Sequence, residues 1–120
     1  MQMSIIFHIA DRALWEQGKA GGSYRPELYA TEGFIHCSTA DQVIAVANLR
    51  FRGQLNLMLL AIDTDQVGHE IRYENLEGGL QLFPHLYGDL KLSAIRSVSE
   101  FVPDIDGFFE MPDEKLWRSP

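Results

Sequence analysis

A nearly uninterrupted apolar segment at residues 55–62 is the feature that most constrains how this chain can fold. The segment reads LNLMLLAI, and it lies between Gly53 and turn-forming residues at 63–65. A short apolar run bounded by turns is typical of a strand buried on both faces of a sheet, although the pattern alone also permits a short helix. We therefore expect the other elements to pack around residues 55–62.

Further strands are expected at residues 4–9, 71–74 and 94–102, where β-branched and apolar side chains concentrate. Side chains alternate between the two faces of a strand, so Arg72 and Glu74 share one face. This spacing predicts an ion pair on the surface, and such a pair contributes little to stability.

Two helices are predicted by their capping residues and apolar faces. Asp11 can cap a helix over residues 12–20, which a Gly-Gly pair ends and in which Trp15 is expected to be core. A second helix is expected at residues 40–51, because apolar residues recur there at steps of three and four: Val43, Ile44, Ala47 and Phe51.

Residues 23–31 read as a loop, because Pro26 excludes the interior of a helix and favours an extended Arg25. Tyr24 and Arg25 present polar groups on this loop. Loops held by a rigid scaffold often carry functional side chains, so both residues are candidates for ligand binding.

Length and composition indicate one domain of ordinary globular type. The chain has 120 residues and a net charge of −7, which disfavours a nucleic acid or an anionic membrane as partner but permits a small nucleotide. Residues 1–9 lack the features of a secretory signal, and no apolar run is long enough to span a bilayer. A cytoplasmic protein without an internal disulfide is expected, since Cys37 is the single cysteine.

The domain is expected to have its core at about residues 5–102 and to be completed by a C-terminal tail at 103–120. The tail is rich in aspartate, proline and aromatic residues. Phe108, Phe109 and Trp117 predict that it packs against the body of the domain, because large aromatic side chains usually anchor packing.

The most distinctive stretch is residues 32–38, which reads EGFIHCS. It predicts a short strand in which His36 shares a face with Phe34 and Ser38. Ser38 or Thr39 can cap the following helix, so an imidazole and a hydroxyl would meet beside a helix N-terminus. This arrangement favours contacts with an anion or a phosphate, although a histidine that only completes core hydrogen bonds is an equally good interpretation.

Three of the four histidines, His8, His36 and His85, lie in apolar, strand-like surroundings, whereas His69 lies in a turn and is expected to be exposed. Buried histidines need hydrogen-bond partners, so three in one small domain are unusual. The economical interpretation is that the three imidazoles converge on one cleft.

A convergent cleft permits two kinds of chemistry. Three imidazoles with an open position can hold a catalytic zinc ion, but the sequence lacks a local pair of ligands and no metal is expected. A nucleotide is the other possibility: Tyr24 or Tyr87 can stack on a flat ring, and Ser38 or Arg25 can meet a phosphate. No glycine-rich phosphate loop is present, so the nucleotide would be bound by other means.

Three motifs together resemble the bacterial family of domains of unknown function numbered 952. These are His8-Ile9-Ala10 before a tryptophan-bearing helix, Glu32-Gly33-Phe34-Ile35-His36-Cys37-Ser38, and Phe83-Pro84-His85-Leu86-Tyr87-Gly88. The resemblance extends over about residues 5–102. This family is grouped by similarity with the ADP-ribosyltransferase superfamily, which includes the RNA 2′-phosphotransferases.

The resemblance implies a compact α+β fold of split antiparallel or mixed sheets that binds NAD in the cleft between them. It implies that His8 contacts the nicotinamide ribose and that the motif containing His36 and Ser38 faces the ribose and ring. The third position of transferring relatives is commonly a glutamate, and here it is His85 with Tyr87 nearby. Glu74 can replace that glutamate only if the fold brings it into the cleft.

The leading hypothesis is therefore an ADP-ribosyltransferase-like domain that binds NAD or a related nucleotide. His36, His85 and Glu74 are the candidate catalytic residues, with His85 as acid, base or electrostatic stabiliser. The candidate ligand-binding residues are His8, Ser38, Tyr87, Tyr24 and Arg25. Three alternatives remain: a nucleotide or metabolite binding module without catalysis, a metal-dependent hydrolase that uses three histidines, and a scaffold with purely structural histidines.

Overall fold

A computed structural model describes residues 4–76 and 78–118. The chain folds into an α+β domain with small antiparallel sheets and few helices. Short 3-10 helices lie at Thr64–Gln66, Leu92–Ala94 and Glu114–Leu116. The main elements are β1 (Ile5–Asp11), α1 (Arg12–Gly21), β2 (Ser23–Tyr24), α2 (Tyr29–Glu32), β3 (Ile35–His36), α3 (Val43–Arg50), β4 (Leu57–Asp63), β5 (Glu70–Glu74), β6 (Phe83–Tyr87), β7 (Leu90–Lys91) and β8 (Ile95–Phe101).

In the described part of the chain the strands form three sheets, and every pairing between these strands is antiparallel. One sheet has the order β1-β4-β8, a second has the order β3-β6-β5, and β2 pairs with β7 in a two-stranded ribbon. The apolar segment at 55–62 forms β4, the central strand of the first sheet, as its composition predicts.

Burial on both faces explains why β4 is continuously apolar. Residues 58, 60 and 62 belong to one hydrophobic core, together with Trp15 and Leu86. Residues 57, 59 and 61 belong to a second core on the opposite face, together with Phe7 and Phe101. Successive side chains of β4 therefore enter different cores, and neither face tolerates a polar residue.

The first helix forms as its sequence predicts. The Asp11 side chain accepts a hydrogen bond from the Leu14 backbone N–H at 3.1 Å, and Gly22 ends the helix at a φ of 93°. Trp15 is buried, as expected. The second predicted helix, α3, is shorter than expected because residues 40–42 form a turn before Val43.

The prediction of a continuous loop at residues 23–31 is wrong. This segment contains β2, which pairs with β7, and the start of α2, which begins at Tyr29 after Pro26. Pro26 does exclude a helix around itself, but the chain becomes helical a few residues later. The pairing of β2 depends on a distant segment, so no local pattern could indicate it.

Within the described residues, a single isolated backbone bridge joins the two larger sheets. Phe7 of β1 and Ser38 exchange two backbone hydrogen bonds, of 2.7 and 2.8 Å, in an isolated antiparallel bridge. Beyond this bridge β1 and β3 do not pair. The sheets are thus joined at Phe7 and separate on one side of it, which opens the space where the candidate site lies.

The C-terminal segment contributes two aromatic side chains to the second core. Phe109 and Trp117 are buried, whereas Phe108 is 40 % exposed and lies beneath the Arg52 guanidinium, 4.1 Å from its ring centre. Residues 119 and 120 of the predicted tail lie outside the described residues. Within the described part of the chain, no helix is long and apolar enough to cross a membrane.

Candidate functional site

A cavity of about 410 Å³ lies where β1 and β3 separate. Most of its surface area is apolar, and its polar part is rich in histidines and carboxylates. The apolar wall consists of Phe7, Ile9, Leu14, Pro26, Leu28, Cys37, Val46, Phe51 and Phe83. The polar wall consists of His8, Asp11, Tyr24, Glu27, Glu32, His36, Ser38, Arg50 and His85.

His85 belongs to this wall and is held by a carboxylate behind it. Its Nδ1 lies 3.0 Å from Oε1 of Glu74, which also accepts a 2.5 Å hydrogen bond from the Tyr87 hydroxyl. The hydrogen bonds from Tyr87 and His85 lower the pKa of Glu74, so its carboxylate is ionised at neutral pH and can only accept. Nδ1 of His85 therefore carries the proton, and in the neutral ring Nε2 is left as the basic nitrogen.

Tyr87 shares this arrangement because it lies on the same side of β6 as His85. Its hydrogen bond to Glu74 raises its pKa, and the Arg72 guanidinium lies 4.5 Å from the centre of its ring. The predicted ion pair between Arg72 and Glu74 does not form. Arg72 instead contacts Glu70 at 2.9 Å, because Glu74 turns toward His85 and Tyr87.

His36 faces His85 across the β3-β6 pairing. The two residues are register partners, and their ring centres are 5.3 Å apart in an edge-to-face arrangement. Nε2 of His36 lies 2.8 Å from Oε1 of Glu32, the last residue of α2. Phe34 packs against both histidines, stacked on His85 and edge-on to His36. Two imidazoles, each with its own carboxylate, therefore share one wall.

His8 is the third histidine of the wall, and both of its ring nitrogens have protein partners. Nδ1 lies 2.6 Å from the backbone oxygen of His36, and Nε2 lies 3.0 Å from the Tyr24 hydroxyl. A carbonyl only accepts, so Nδ1 donates and Nε2 accepts from Tyr24. Burial lowers the pKa of His8 to about 4, so the ring is neutral at pH 7.

This arrangement differs from the expected contact between His8 and a ribose, because no ring nitrogen of His8 is left for a ligand. Tyr24 differs from its expected role as well. It is only 1 % exposed, its ring packs near Trp15 and His8, and its hydroxyl holds His8. Both residues support the site from within the core.

The other predicted ligand-binding residues divide between the wall and the surface. Ser38 lies in the wall and is buried beside Phe7. Arg25 lies outside the wall, where it pairs with Asp89 and covers the ring of Tyr29 at 4.5 Å. The hydrogen bond to Asp89 raises the pKa of Arg25, so this cation is already engaged away from the cavity.

The structure also bears on the reactivity of Cys37 and on the possibility of a metal site. Burial raises the pKa of the Cys37 thiol to about 12, which makes it a poor nucleophile at neutral pH. Among residues 4–76 and 78–118, no group of three or more histidine, cysteine or carboxylate side chains is arranged to hold a metal ion. His69, the fourth histidine, is exposed as predicted.

Two features of the wall were not predicted from the sequence. The sequence predicts no site role for Glu32, yet its carboxylate contacts His36 because Gly33, at a φ of 80°, turns the chain directly after α2. Ile9 contributes its backbone as well as its side chain, a consequence of strand pairing. The four-residue spacing from Glu32 to His36 was the only sequence signal for either feature.

The Ile9 backbone faces the cavity for a geometric reason. Phe7 directs its N–H and C=O toward Ser38, and alternate residues of a strand direct these groups to the same edge. The regular pairing of β1 with β4 preserves this alternation. Ile9 therefore points its N–H and C=O into the space between β1 and β3, and no partner for them is found within residues 4–76 and 78–118.

The comparison with protein families agrees with the three motifs. Residues 9–98 match the model of a family described as "Protein of unknown function (DUF952)". The chain belongs to the DUF952 family. Residues His36, Glu74 and His85 all fall within the matched part, so the DUF952 region contains both pairs of histidine and carboxylate.

Solved structures similar to this DUF952 chain come from Caulobacter crescentus. The crystal structure of protein CC0527 is 35 % identical, with a TM-score of 0.80, over 89 % of this chain and 94 % of that one. Its solution NMR structure is 36 % identical, with a TM-score of 0.75, over 87 % and 90 %. Neither is described with an activity. No curated protein matches the chain.

Proposed function

We propose that this protein binds a nucleotide of the NAD or ADP-ribose type in the cavity and acts on it as an ADP-ribosyltransferase-like or glycohydrolase-like domain. The observation that carries the proposal is the pair of carboxylate-held imidazoles, His36 and His85, on the wall of a mainly apolar cavity. A cavity of this size with a few convergent polar groups is typical of a small-molecule site.

The His85 arrangement supplies a base for the acceptor. Glu74 fixes the ring so that Nδ1 donates to the carboxylate and Nε2 can take a proton. Histidine is the side chain suited to moving protons near neutral pH. Glu74 does not contribute to the cavity wall, so we assign it as a positioning residue and not as the glutamate that transferring relatives use.

The unpaired backbone groups of Ile9 favour a ligand that carries an amide. Its N–H and C=O lie on the open edge of β1 and match the acceptor and donor of a primary carboxamide, such as the one on nicotinamide. The aromatic rings of Phe7, Phe51 and Phe83 in the wall suit a flat heterocycle. Ser38 and His36 also line the cavity, and they would hold the ribose.

The charges of the wall indicate which part of the nucleotide enters. Among the described residues of the wall, three carboxylates, Asp11, Glu27 and Glu32, outnumber the one guanidinium, Arg50. The net negative charge favours the cationic pyridinium ring of NAD over its pyrophosphate. The ring and its ribose therefore occupy the cavity, and the phosphates remain toward solvent. The overall charge of −7 likewise disfavours RNA as the acceptor.

The reaction would break the bond between ribose C1′ and the ring nitrogen. The bonding electron pair passes to the ring, which leaves as neutral nicotinamide. An acceptor hydroxyl, with water as the smallest, bonds to C1′ and loses its proton to Nε2 of His85. The products with water are ADP-ribose, nicotinamide and a proton.

The test combines binding with product analysis. NAD is titrated into isotopically labelled protein while the signals of His8, His36 and His85 are followed by NMR, and released nicotinamide is measured separately. We expect shifts near these residues and slow release of nicotinamide. His85→Gln should lower the release at least about 100-fold without loss of binding, whereas His69→Gln, a change at an exposed histidine, should alter neither.

The same test decides between enzyme and binding module. The position of Glu74 outside the wall favours the non-catalytic alternative, because the usual third-position carboxylate is then missing. Saturable binding without nicotinamide release, in the wild type as in His85→Gln, would identify a nucleotide binding module. An absence of shifts at millimolar NAD would overturn the proposed ligand.

A further inference from the structure

We propose that His8 is the residue that keeps β1 and β3 apart, and that its imidazole creates the cavity by replacing the Ile9 backbone as the partner of the His36 carbonyl. This role is structural and positional. It does not depend on which ligand the cavity takes, so it stands or falls separately from the proposed function.

The register of the two strands shows what the imidazole replaces. Phe7 and Ser38 form a hydrogen-bonded pair, with bonds of 2.7 and 2.8 Å. In an antiparallel ladder the next hydrogen-bonded pair lies two residues further along each strand, which here is Ile9 with His36. The backbone groups of both residues point into the gap, because Cys37, between Ser38 and His36, donates to Pro84 on the other side of β3.

The ladder stops at this position although β1 itself remains regular. There is no proline or bulge at Ile9, and β1 continues in regular pairing with β4 up to Asp11. The His36 oxygen accepts instead from Nδ1 of His8 at 2.6 Å. The imidazole thus satisfies the His36 carbonyl, which would otherwise accept a hydrogen bond from the Ile9 N–H. The two strands therefore remain separated at this position.

Tyr24 keeps the imidazole in the required state. Its hydroxyl donates to Nε2 of His8 at 3.0 Å, so the ring proton stays on Nδ1, where it faces the His36 carbonyl. The Tyr24 side chain is only 1 % exposed, so this bond lies within the protein. The network fixes both the tautomer of His8 and the position of the His36 backbone.

The experiment is amide hydrogen exchange, with Phe7 and Ile9 compared on the same strand. In the wild-type protein, the Ile9 amide should exchange at least about tenfold faster than the Phe7 amide, because only Phe7 is paired. In His8→Val, which cannot donate, the ladder should extend and the Ile9 amide should become protected by about tenfold or more. If His8 only stabilised the fold, His8→Val would instead make the Ile9 amide exchange faster, because destabilisation speeds exchange.

Matched variants keep the proposal falsifiable. His8→Gln and His8→Asn retain a side-chain N–H, and at least one of them should leave Ile9 unprotected, as in the wild type. Equal protection of Phe7 and Ile9 in the wild type would overturn the proposal, even if His8→Val fails to fold. Unprotected Ile9 in a folded His8→Val would overturn it as well.

Discussion

His8 illustrates, at the scale of a single residue, how burial removes a histidine from proton chemistry. Its two hydrogen bonds satisfy the neutral ring, and desolvation lowers its pKa to about 4. His85 has the same kind of ring, but a carboxylate holds one nitrogen and leaves the other basic. The partners of each ring therefore decide which of its nitrogens carries the proton.

The lowered pKa of His8 predicts a specific loss of stability in acid. The unfolded protein binds a proton at His8 near the ordinary value of 6.5 and the folded protein near 4, so protonation favours unfolding. The contribution of neutral His8 to the free energy of unfolding is complete above about pH 6.5. It decreases by up to about 3 kcal/mol as the pH falls toward 4.

Urea unfolding of the wild type and His8→Gln over this pH range measures the effect. Glutamine can donate to the His36 carbonyl but does not titrate, so the variant should be less stable at pH 7 by about 1–3 kcal/mol. The difference in the free energy of unfolding should shrink as the pH falls toward 4. A constant difference would contradict the assigned protonation state.

At the scale of elements, α1 sets the position of Tyr24 and so reaches the site indirectly. The helix lies against β2, and the two approach closely at Gly18. A Cβ atom at Gly18 would lie 2.9 Å from the Ser23 carbonyl oxygen and 2.9 Å from the Tyr24 Cα. These are backbone atoms, so the contact can be relieved only by moving β2 or the helix.

We predict that Gly18→Ala destabilises the domain by about 1–3 kcal/mol, despite the higher helix propensity of alanine, because overpacking costs more than propensity gains. Gly21→Ala, in the same helix, is the control. A Cβ at Gly21 meets nothing within 4 Å, so this variant should be neutral or slightly stabilised. Thermal unfolding of both variants measures the effect, and equal stability of the two would refute the close packing.

At the scale of the whole molecule, the C-terminal segment completes the core that β4 begins. Phe109 stacks on Phe101 with ring centres 4.6 Å apart, and its backbone N–H donates to the Asn48 side chain at 2.7 Å. Trp117 packs edge-on against Phe7, and Phe7 also lines the cavity. The last segment thus supports the wall of the site from behind.

The adjacent phenylalanines allow a matched test of this packing. Phe109→Ala should cost about 3–5 kcal/mol in the free energy of unfolding, because a buried aromatic ring is removed. Phe108→Ala should cost less than about 1 kcal/mol, since its ring is 40 % exposed and gains mainly from Arg52. Chemical denaturation of both variants measures the two losses in the free energy of unfolding. Similar losses would contradict the assigned burial of Phe109 and exposure of Phe108.

The amino-acid sequence by itself determined the elements whose causes are local. The continuous apolar run predicts β4 because both of its faces are buried, and Asp11 predicts the start of α1 because its side chain can cap. Alternation along a strand places His85 and Tyr87 on one side, which the shared contact with Glu74 confirms.

Only the tertiary structure decided the contacts that join distant segments. The β2-β7 ribbon, the pairing of Glu74 with His85, the engagement of His8 by Tyr24 and the open edge at Ile9 all depend on which strands lie side by side. A residue's local pattern specifies its face but not its neighbour. The neighbour follows from strand order and register, which are set by how the two cores pack around β4.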